Sequence, residues 1–270
     1  MNGPPVFVRA FRLTPATARC LAAGMRDPGR AERTRLRQRE HFETLADEYA
    51  REAAVFDLHS ESLFRRFLAV SAPPGRHLLE IGAGAGRYTL PLLRAGYRID
   101  ALDLSPRALA RLEERARAEG LGDRLRTIAG DAERLDPGGA YDLVYGVHLL
   151  HHVADRVAML ATMRRAARRG GVVVCVEPNP LNPAWYAYIT LDRLRSWRVE
   201  RGLLTIVPWA LVRDYRRAGL SGVTRVMYGA VPIPAVNRWP GLLALEARLN
   251  RIPALRLLCA VQIVRGVRDA

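Results

Sequence analysis

The chain of 270 residues is 49% hydrophobic and 26% charged, an average globular balance that excludes wholesale disorder. Its formal charge of +15 comes from 42 basic and 27 acidic residues, and every basic residue is arginine, which excludes a lysine Schiff base, a P-loop lysine and a lysine general base. With no run of about eighteen apolar residues, no leader-like opening block and only Cys20, Cys175 and Cys259, widely spaced, we expect no transmembrane helix, signal peptide, disulfide framework or zinc site, and a reducing, cytoplasmic location.

Prolines and Gly29 punctuate the first forty residues, and 26–40 is dense in charge. A helix is expected to begin there and run to Tyr49, with Phe42, Leu45, Ala46 and Tyr49 on one face. A second is expected over Ser60–Val70, ended by Pro73-Pro74-Gly75. From His77 short apolar runs alternate with helical stretches. Strands are expected at 77–81, 97–102, 125–129, 141–147 and 172–176, with helices at 88–95, 105–119 and 155–169. The stretch 178–207 breaks this rhythm with Trp185, Tyr186, Tyr188 and Trp197 among prolines and arginines. A helix at 208–218, a strand at 223–228, a helix at 242–249 and a strand at 259–267 complete the pattern. Such βαβα alternation predicts an α/β fold with a mostly parallel sheet covered on both faces.

The strongest local signal is Glu80-Ile81-Gly82-Ala83-Gly84-Ala85-Gly86 between the first strand and its helix. Glycine permits a tight turn and a close ligand approach. Asp103 ends the second strand, seventeen residues after Gly86, where a carboxylate accepts ribose hydroxyls, and Asp131 follows the third on the same sheet edge. The spacing is GxGxG rather than GxGxxG, and Glu80 would repel a pyrophosphate but suits a cationic or amino group.

At these residues, together with Leu102-Asp103-Leu104-Ser105-Pro106, Gly130-Asp131-Ala132, Tyr141-Asp142-Leu143-Val144 and Gly170-Gly171, the chain resembles the class I S-adenosylmethionine-dependent methyltransferases. The resemblance covers about 41–176. It implies a Rossmann-like, seven-stranded, mostly parallel sheet with an antiparallel edge strand and an N-terminal helical cover over 1–72. The methyltransferase domain would span 73–270, with acceptor-binding insertions at about 178–209 and 232–253. It also implies S-adenosylmethionine as cofactor. Gly82, Gly84 and Gly86 would line the methionine moiety, with Glu80 beside them. Asp103 would hold the ribose, with Leu104 next to it, and Asp131 and Ala132 would meet the adenine. Gly146 and Tyr49 would complete the cofactor site, Tyr49 by closing over the methionine end.

The segment after the fourth strand, His148-Leu149-Leu150-His151-His152, follows the same edge. In a helix these three histidines would share a face, and an imidazole suits a general base. His148, His151 and His152 are therefore the catalytic candidates, with Glu177 after the fifth strand to orient a histidine. A metal reading lacks a further ligand, because Asp155 suits a helix start, so no metal is expected. Cys175 falls inside a strand and reads as core, and no NPPY-like motif follows the fourth strand, so cysteine-based and adenine-N6 nucleic-acid methylation lose their chemistry. The aromatics of 178–209 and Trp239 of 232–253 are candidates to wall an apolar acceptor, and Arg193, Arg195 and Arg198 to meet an anion. Arginines flanking the apolar stripe of 232–253 also suit a peripheral membrane contact. The expected reaction is methylation of a small molecule, at a hydroxyl, in natural-product or other secondary metabolism. Two rivals stay open: an RNA methyltransferase using the basic N-terminal arm, and a non-catalytic cofactor-binding scaffold. The oligomeric state is not legible.

Overall fold

The computed structural model describes residues 28–134, 138–230, 237–250 and 252–269. The N-terminal arm up to residue 27, part of the 232–253 insertion and Cys20 lie outside the described residues.

Three helices precede the sheet: α1 (Pro28–Thr44), α2 (Ala46–Ala54) and α3 (Leu58–Ser71). The helix expected to run unbroken to Tyr49 is interrupted at Leu45, whose φ of −100° and ψ of 17° leave the helical region. Asp57 caps α3, accepting the Ser60 amide at 2.8 Å, and Asn237 donates to its other oxygen. Removing such a cap costs about 1 kcal/mol. Asp57→Ala is accordingly expected to lower the unfolding free energy by about that amount in urea titrations, and an unchanged midpoint would refute the cap's contribution.

The sheet is built from β1 (His77–Ile81), β2 (Arg98–Asp103), β3 (Leu125–Ala129), β4 (Tyr141–Val147), β5 (Ala167–Pro178), β6 (Ser221–Tyr228) and β7 (Val261–Val267). Its order is β3-β2-β1-β4-β5-β7-β6. Strands β1 to β5 are parallel, and β7 runs antiparallel between β5 and the outermost strand β6. The antiparallel strand thus lies at the expected side of the sheet, one position in from its edge. The order reverses between β1 and β4, the place where open α/β sheets bind ligands.

Between the strands lie α4 (Thr89–Arg94), α5 (Pro106–Ala118) and α6 (Arg156–Ala166). Ser105 and Asp155 cap α5 and α6 through their side chains. The helix expected to reach Arg169 stops at Ala166, because Ala167 already pairs with Tyr141 and extends β5 backwards. After β5 come α7 (Ala184–Leu191), α8 (Trp197–Glu200), a 3-10 turn (Arg201–Thr205) and α9 (Pro208–Arg217). Helices α10 (Leu242–Leu249) and α11 (Pro253–Arg256) separate β6 from β7.

Alternation along β5 explains the two-sided core. Val172, Val174 and Val176 face α3, α4 and α5, while Val173 and Cys175 face α6 and α9. Phe67 of α3 is fully buried against Tyr88 and Tyr145, so this helix packs into the core of the sheet. Among the described residues, no helix is long and apolar enough to cross a membrane.

Candidate active site

The carboxyl ends of β1 to β5 meet two coverings, α1–α2 on one side and the α7–α8 segment on the other. The glycine turn after β1 crosses the sheet edge. Gly84 has φ +51°, and a Cβ built there would meet nothing within 4 Å, so this turn faces open space. Asp103 at the end of β2 accepts the Gly84 amide at 2.8 Å and the Ser105 amide at 2.9 Å. Burial pushes its carboxyl up, against the pull of those amides. Asp103 therefore shapes the glycine turn as well as facing the ligand edge, and it is half-buried rather than exposed. Leu104 beside it is half-buried too.

Glu80 lies beneath this turn, fully buried, accepting hydrogen bonds from Thr89 Oγ1 and from Tyr145 Oη at 2.7 Å. Burial raises its pKa to about 7 despite these donors. It ties β1 to α4 and β4. Gly146 packs against Leu149 and the Ile81 carbonyl, which a Cβ would strike. Both of these sequence candidates thus support the turn from below in this structure.

Asp131 lies farther along the edge. Its Oδ2 is 3.3 Å from Arg35 of α1, and its Oδ1 accepts the Glu133 amide at 2.9 Å. Ala132 beside it is buried. Arg35 also binds Glu133 at 2.6 Å. Glu43 of α1 accepts from Ser105 Oγ, and Asp47 of α2 pairs with Arg107 and Arg111. These ion pairs hold the N-terminal helices over the ends of β2 and β3. Tyr49 donates to the Leu194 carbonyl at 3.0 Å, so it locks α2 to the opposite covering. The turn, the acid at the end of β2 and the acid after β3 fit S-adenosylmethionine: open space faces Gly84, and acceptor carboxylates on the same sheet edge suit ribose hydroxyls and an adenine amino group.

The three histidines converge, and their segment is a turn, so the shared face that a helix would have given them does not apply. His148 follows β4 in the left-handed region at φ +53°, its amide paired to the Val176 carbonyl at 2.7 Å. Such a conformation in a non-glycine residue stores strain and is enriched at functional positions. Its ring lies edge-on to Trp185 at 5.5 Å, and among the described residues neither of its ring nitrogens has a hydrogen-bond partner. Burial and the neighbouring His151 charge pull it down to about 3, so it is neutral at physiological pH.

His151 is the opposite case. Its Nδ1 meets Glu177 at 2.7 Å and its Nε2 meets Glu200 at 3.2 Å. Burial works against its charge, but the hydrogen bonds and charges of Glu177 and Glu200 outweigh it and push the ring up to about 9. His151 is thus an imidazolium clamped between carboxylates, with both nitrogens engaged. Glu177 is fully buried, and its other oxygen accepts the amides of Leu149 and Leu150 at 2.9 and 2.6 Å, fixing the histidine turn. Burial and the His151 charge hold His152 down to about 3. Its ring lies tilted 3.9 Å from that of His151 and edge-on to Phe42, and its Nδ1 is buried without a hydrogen-bond partner among the described residues.

Glu200 was not legible as a site residue. It reaches His151 across 49 positions because the α8 turn folds back onto the sheet edge. Burial opposes its charge, but the His151 hydrogen bond and the charges of His152, His151 and Arg195 hold it down at about 2. Gly202 makes this possible, since a Cβ there would lie 1.7 Å from the His151 carbonyl oxygen. The one available signal was an acid and a glycine closing an aromatic insertion. Ligand atoms of His151, His152 and Glu200 lie within 4.8 Å of one another, so the extra ligand type missing from the sequence reading is present. Holding a metal would require His151 to give up its contact with Glu200.

The covering's aromatics divide. Trp185, Tyr186 and Trp197 are half-buried, and Trp185 donates from its Nε1 to the Ala260 carbonyl. Trp209 and Trp239, expected to wall the acceptor, are exposed. Arg195 is not a free anion receptor: it pairs with Glu52 at 2.9 Å, donates to Tyr188 Oη at 2.7 Å and lies over the Tyr188 ring. Arg193 and Arg198 are exposed.

A family model described as "Methyltransferase domain" matches residues 79–173. A ubiquinone biosynthesis O-methyltransferase from Caulobacter vibrioides is 30% identical over 181 residues, 65% of this chain and 71% of the relative. One from Cereibacter sphaeroides is 29% identical over 198 residues, 71% of this chain and 78% of the relative. Among solved structures, a SAM-dependent methyltransferase from Thermotoga maritima aligns with a TM-score of 0.57 at 19% identity, covering 86% of this chain and all of that one. The [4+2]-cyclase SpnF aligns with a TM-score of 0.53 at 16% identity, covering 78% and 82%. The structural likeness therefore establishes the fold, and the reaction rests on the sequence relatives.

Proposed function

Because the chain belongs to the class I S-adenosylmethionine-dependent methyltransferases, we propose that it O-methylates a small aromatic hydroxyl compound of the quinone-precursor kind, with His148 receiving the acceptor's proton. The observation that carries this is the pairing of a neutral His148, beside Trp185 and without a ring hydrogen-bond partner among the described residues, with a His151–Glu177–Glu200 clamp that holds the turn beneath it. The relatives' names supply the hydroxyl and the quinone pathway, in place of the natural product suggested by sequence alone.

When bound, S-adenosylmethionine supplies an activated methyl group for in-line displacement by the acceptor oxygen. The chain's own part is alignment and proton removal. Trp185 and the half-buried aromatics beside it offer an apolar wall for the acceptor ring. His148, uncharged and without a ring hydrogen-bond partner among the described residues, accepts the hydroxyl proton as the methyl–oxygen bond forms and makes that proton strongly acidic; held down to about 3, it does not deprotonate the resting hydroxyl. His151 keeps both nitrogens engaged and acts through position: its charge keeps His148 neutral, and its two carboxylates pin the turn to β5 and to the covering.

A second reading is favoured by one observation, that the only partner of His151 Nε2 among the described residues belongs to the covering. An acceptor hydroxyl that displaced Glu200 would meet a histidine oriented by Glu177, the arrangement of a general-base dyad. The experiment that tests the function is conversion of S-adenosylmethionine to S-adenosylhomocysteine with dihydroxylated aromatic acceptors, set beside aromatic amines. Turnover only with the amines would sink O-methylation. The RNA reading is separated by salt, because RNA affinity falls steeply with ionic strength and that of an uncharged acceptor does not.

The cofactor site gives a sharper expectation. Asp103→Asn is expected to weaken S-adenosylmethionine binding by about 1.5–3 kcal/mol, roughly ten- to a hundredfold, through lost ribose contacts. Because both oxygens also hold backbone amides, the variant loses some stability as well. Calorimetry showing unchanged affinity in the folded variant would remove Asp103 from the site.

A further inference from the structure

We propose that Arg195 is a positioning residue for methyl transfer: paired with Glu52 of α2, it holds the 194–200 segment so that Glu200 engages His151. Glu200 reaches that histidine from α8, a helix of only four residues. A single turn has too few internal hydrogen bonds to hold itself rigid, so the place of Glu200 is set by what the segment is tied to. Three ties come from the N-terminal helices. Tyr49 donates to the Leu194 carbonyl at 3.0 Å, Arg195 pairs with Glu52 at 2.9 Å, and Gln38 of α1 donates to the Val199 carbonyl at 3.3 Å.

Arg195 is the charged member of the three, and it is held from several sides. Its guanidinium lies over the rings of Tyr188 and Tyr49, at 4.7 and 5.7 Å, and donates to the Tyr188 hydroxyl at 2.7 Å. Glu52 accepts from it through one oxygen, and the other oxygen is buried without a hydrogen-bond partner among the described residues. A carboxylate placed this way depends on its cation. Glu52 is itself anchored: Arg87, directly after the glycine turn, donates to its backbone carbonyl at 2.8 Å. Asp47, earlier in the same helix, pairs with Arg107 and Arg111 of α5. Helix α2 is thus fixed to the sheet edge, and Arg195 fastens the covering to α2.

The sign of the effect separates fastening from field. As a bare charge, Arg195 disfavours protonation of its neighbours, so its removal would raise the pKa of His151. As a fastening, its removal lets Glu200 leave Nε2, and the loss of that carboxylate lowers it. The groups around the imidazole are Glu177 of β5, Glu200 of α8, His148 and His152 of its own turn, and His41 of α1, whose charge is felt by Glu200. Of these, the fastened segment carries Glu200 alone.

The test follows the His151 ring by NMR in the full chain with labelled histidine, as pH is raised and with no acceptor present. In the parent the ring should lose its proton near pH 9. Arg195→Gln should move that midpoint down by about one pH unit, the effect of losing one opposite charge at contact distance. Made on top of Glu200→Gln, the same substitution should lower it no further, because the carboxylate it positions is gone. A midpoint that stays or rises in Arg195→Gln overturns the proposal, and so does an equal fall in the Glu200→Gln background. Tyr49→Phe frees the Leu194 carbonyl without altering charge and should shift the midpoint the same way. It keeps the test open if Arg195→Gln does not fold, and there too an unmoved midpoint overturns the fastening. Single-turnover transfer to catechol should slow by up to roughly a hundredfold in Arg195→Gln, the cost of an ångström's misplacement. A lowered midpoint with an unchanged rate would make the pair a structural latch and overturn its part in catalysis. The rate rests on the O-methylation reading and the titration does not, so failure of one is distinguishable from failure of the other.

Discussion

The His148→Ala variant is expected to transfer methyl groups roughly 10²–10⁴-fold more slowly in single-turnover measurements, the usual contribution of a positioned base. Its affinity for S-adenosylmethionine should be unchanged, because the ring packs edge-on against Trp185 of the covering. The pH dependence separates the two histidine readings. Burial and the His151 charge hold His148 neutral down to about pH 3. If it is the base, its titration contributes no rise in rate across the neutral range, contrary to the expectation for an ordinary histidine. If His151 is the base, the rate climbs as its proton leaves, toward pH 9. Glu200→Gln then decides: removing one of the two carboxylates lowers the pKa of His151, so a His151-dependent limb moves to lower pH. A His148-dependent profile does not move that way. An alanine variant of His148 that stays within a few-fold of the parent would reduce the residue to packing.

Replacing His151 is expected to have the largest effect on stability. His151→Ala leaves Glu177 and Glu200 buried without their shared cation, and breaking a buried pair from one side costs about 3–5 kcal/mol. His151→Gln keeps a donor and is the variant for linkage. The folded pKa of about 9 lies above the ordinary 6.5, so the ionised ring stabilises the protein fully below about pH 6.5. That stability is lost as pH rises from 6.5 through 9, by about 3 kcal/mol in all. Other groups titrate too, Glu80 among them, so the relevant quantity is the difference between the parent and His151→Gln in urea titrations at several pH values. A difference that stays constant from pH 6 to 10 would contradict the clamp.

Much of the fold follows from local physics. The all-apolar β5 run can only be a strand buried on both faces, and Val172 to Val176 alternate between two cores. Ser105-Pro106 and Asp155 start helices because their side chains satisfy free amides, and both do so here. The glycine turn with its flanking acids is legible for the same reason, since strand, tight turn and helix are consecutive in sequence. Errors arise where long-range pairing overrides local preference. Ala167 to Arg169 read as the end of a helix, but pairing of Ala167 with Tyr141 draws them into β5.

The chemistry of the site is distributed differently. That histidines and Glu177 meet at the sheet edge is implied by residue order, because consecutive parallel strands place their carboxyl ends together. Which histidine is charged is not, because a side chain's pKa depends on everything packed around it. Glu200 arrives from 49 positions away to engage the second nitrogen of His151, and Gly202 admits it only because no Cβ blocks the His151 carbonyl. Arg35 reaches Asp131 from a helix nearly a hundred residues earlier. Local sequence thus determined the sheet, the turn and the candidate residues, through propensity, capping and chain order. Tertiary packing alone decided which of those residues are engaged, charged or free, since contacts between distant segments set the local field and no short-range pattern encodes them.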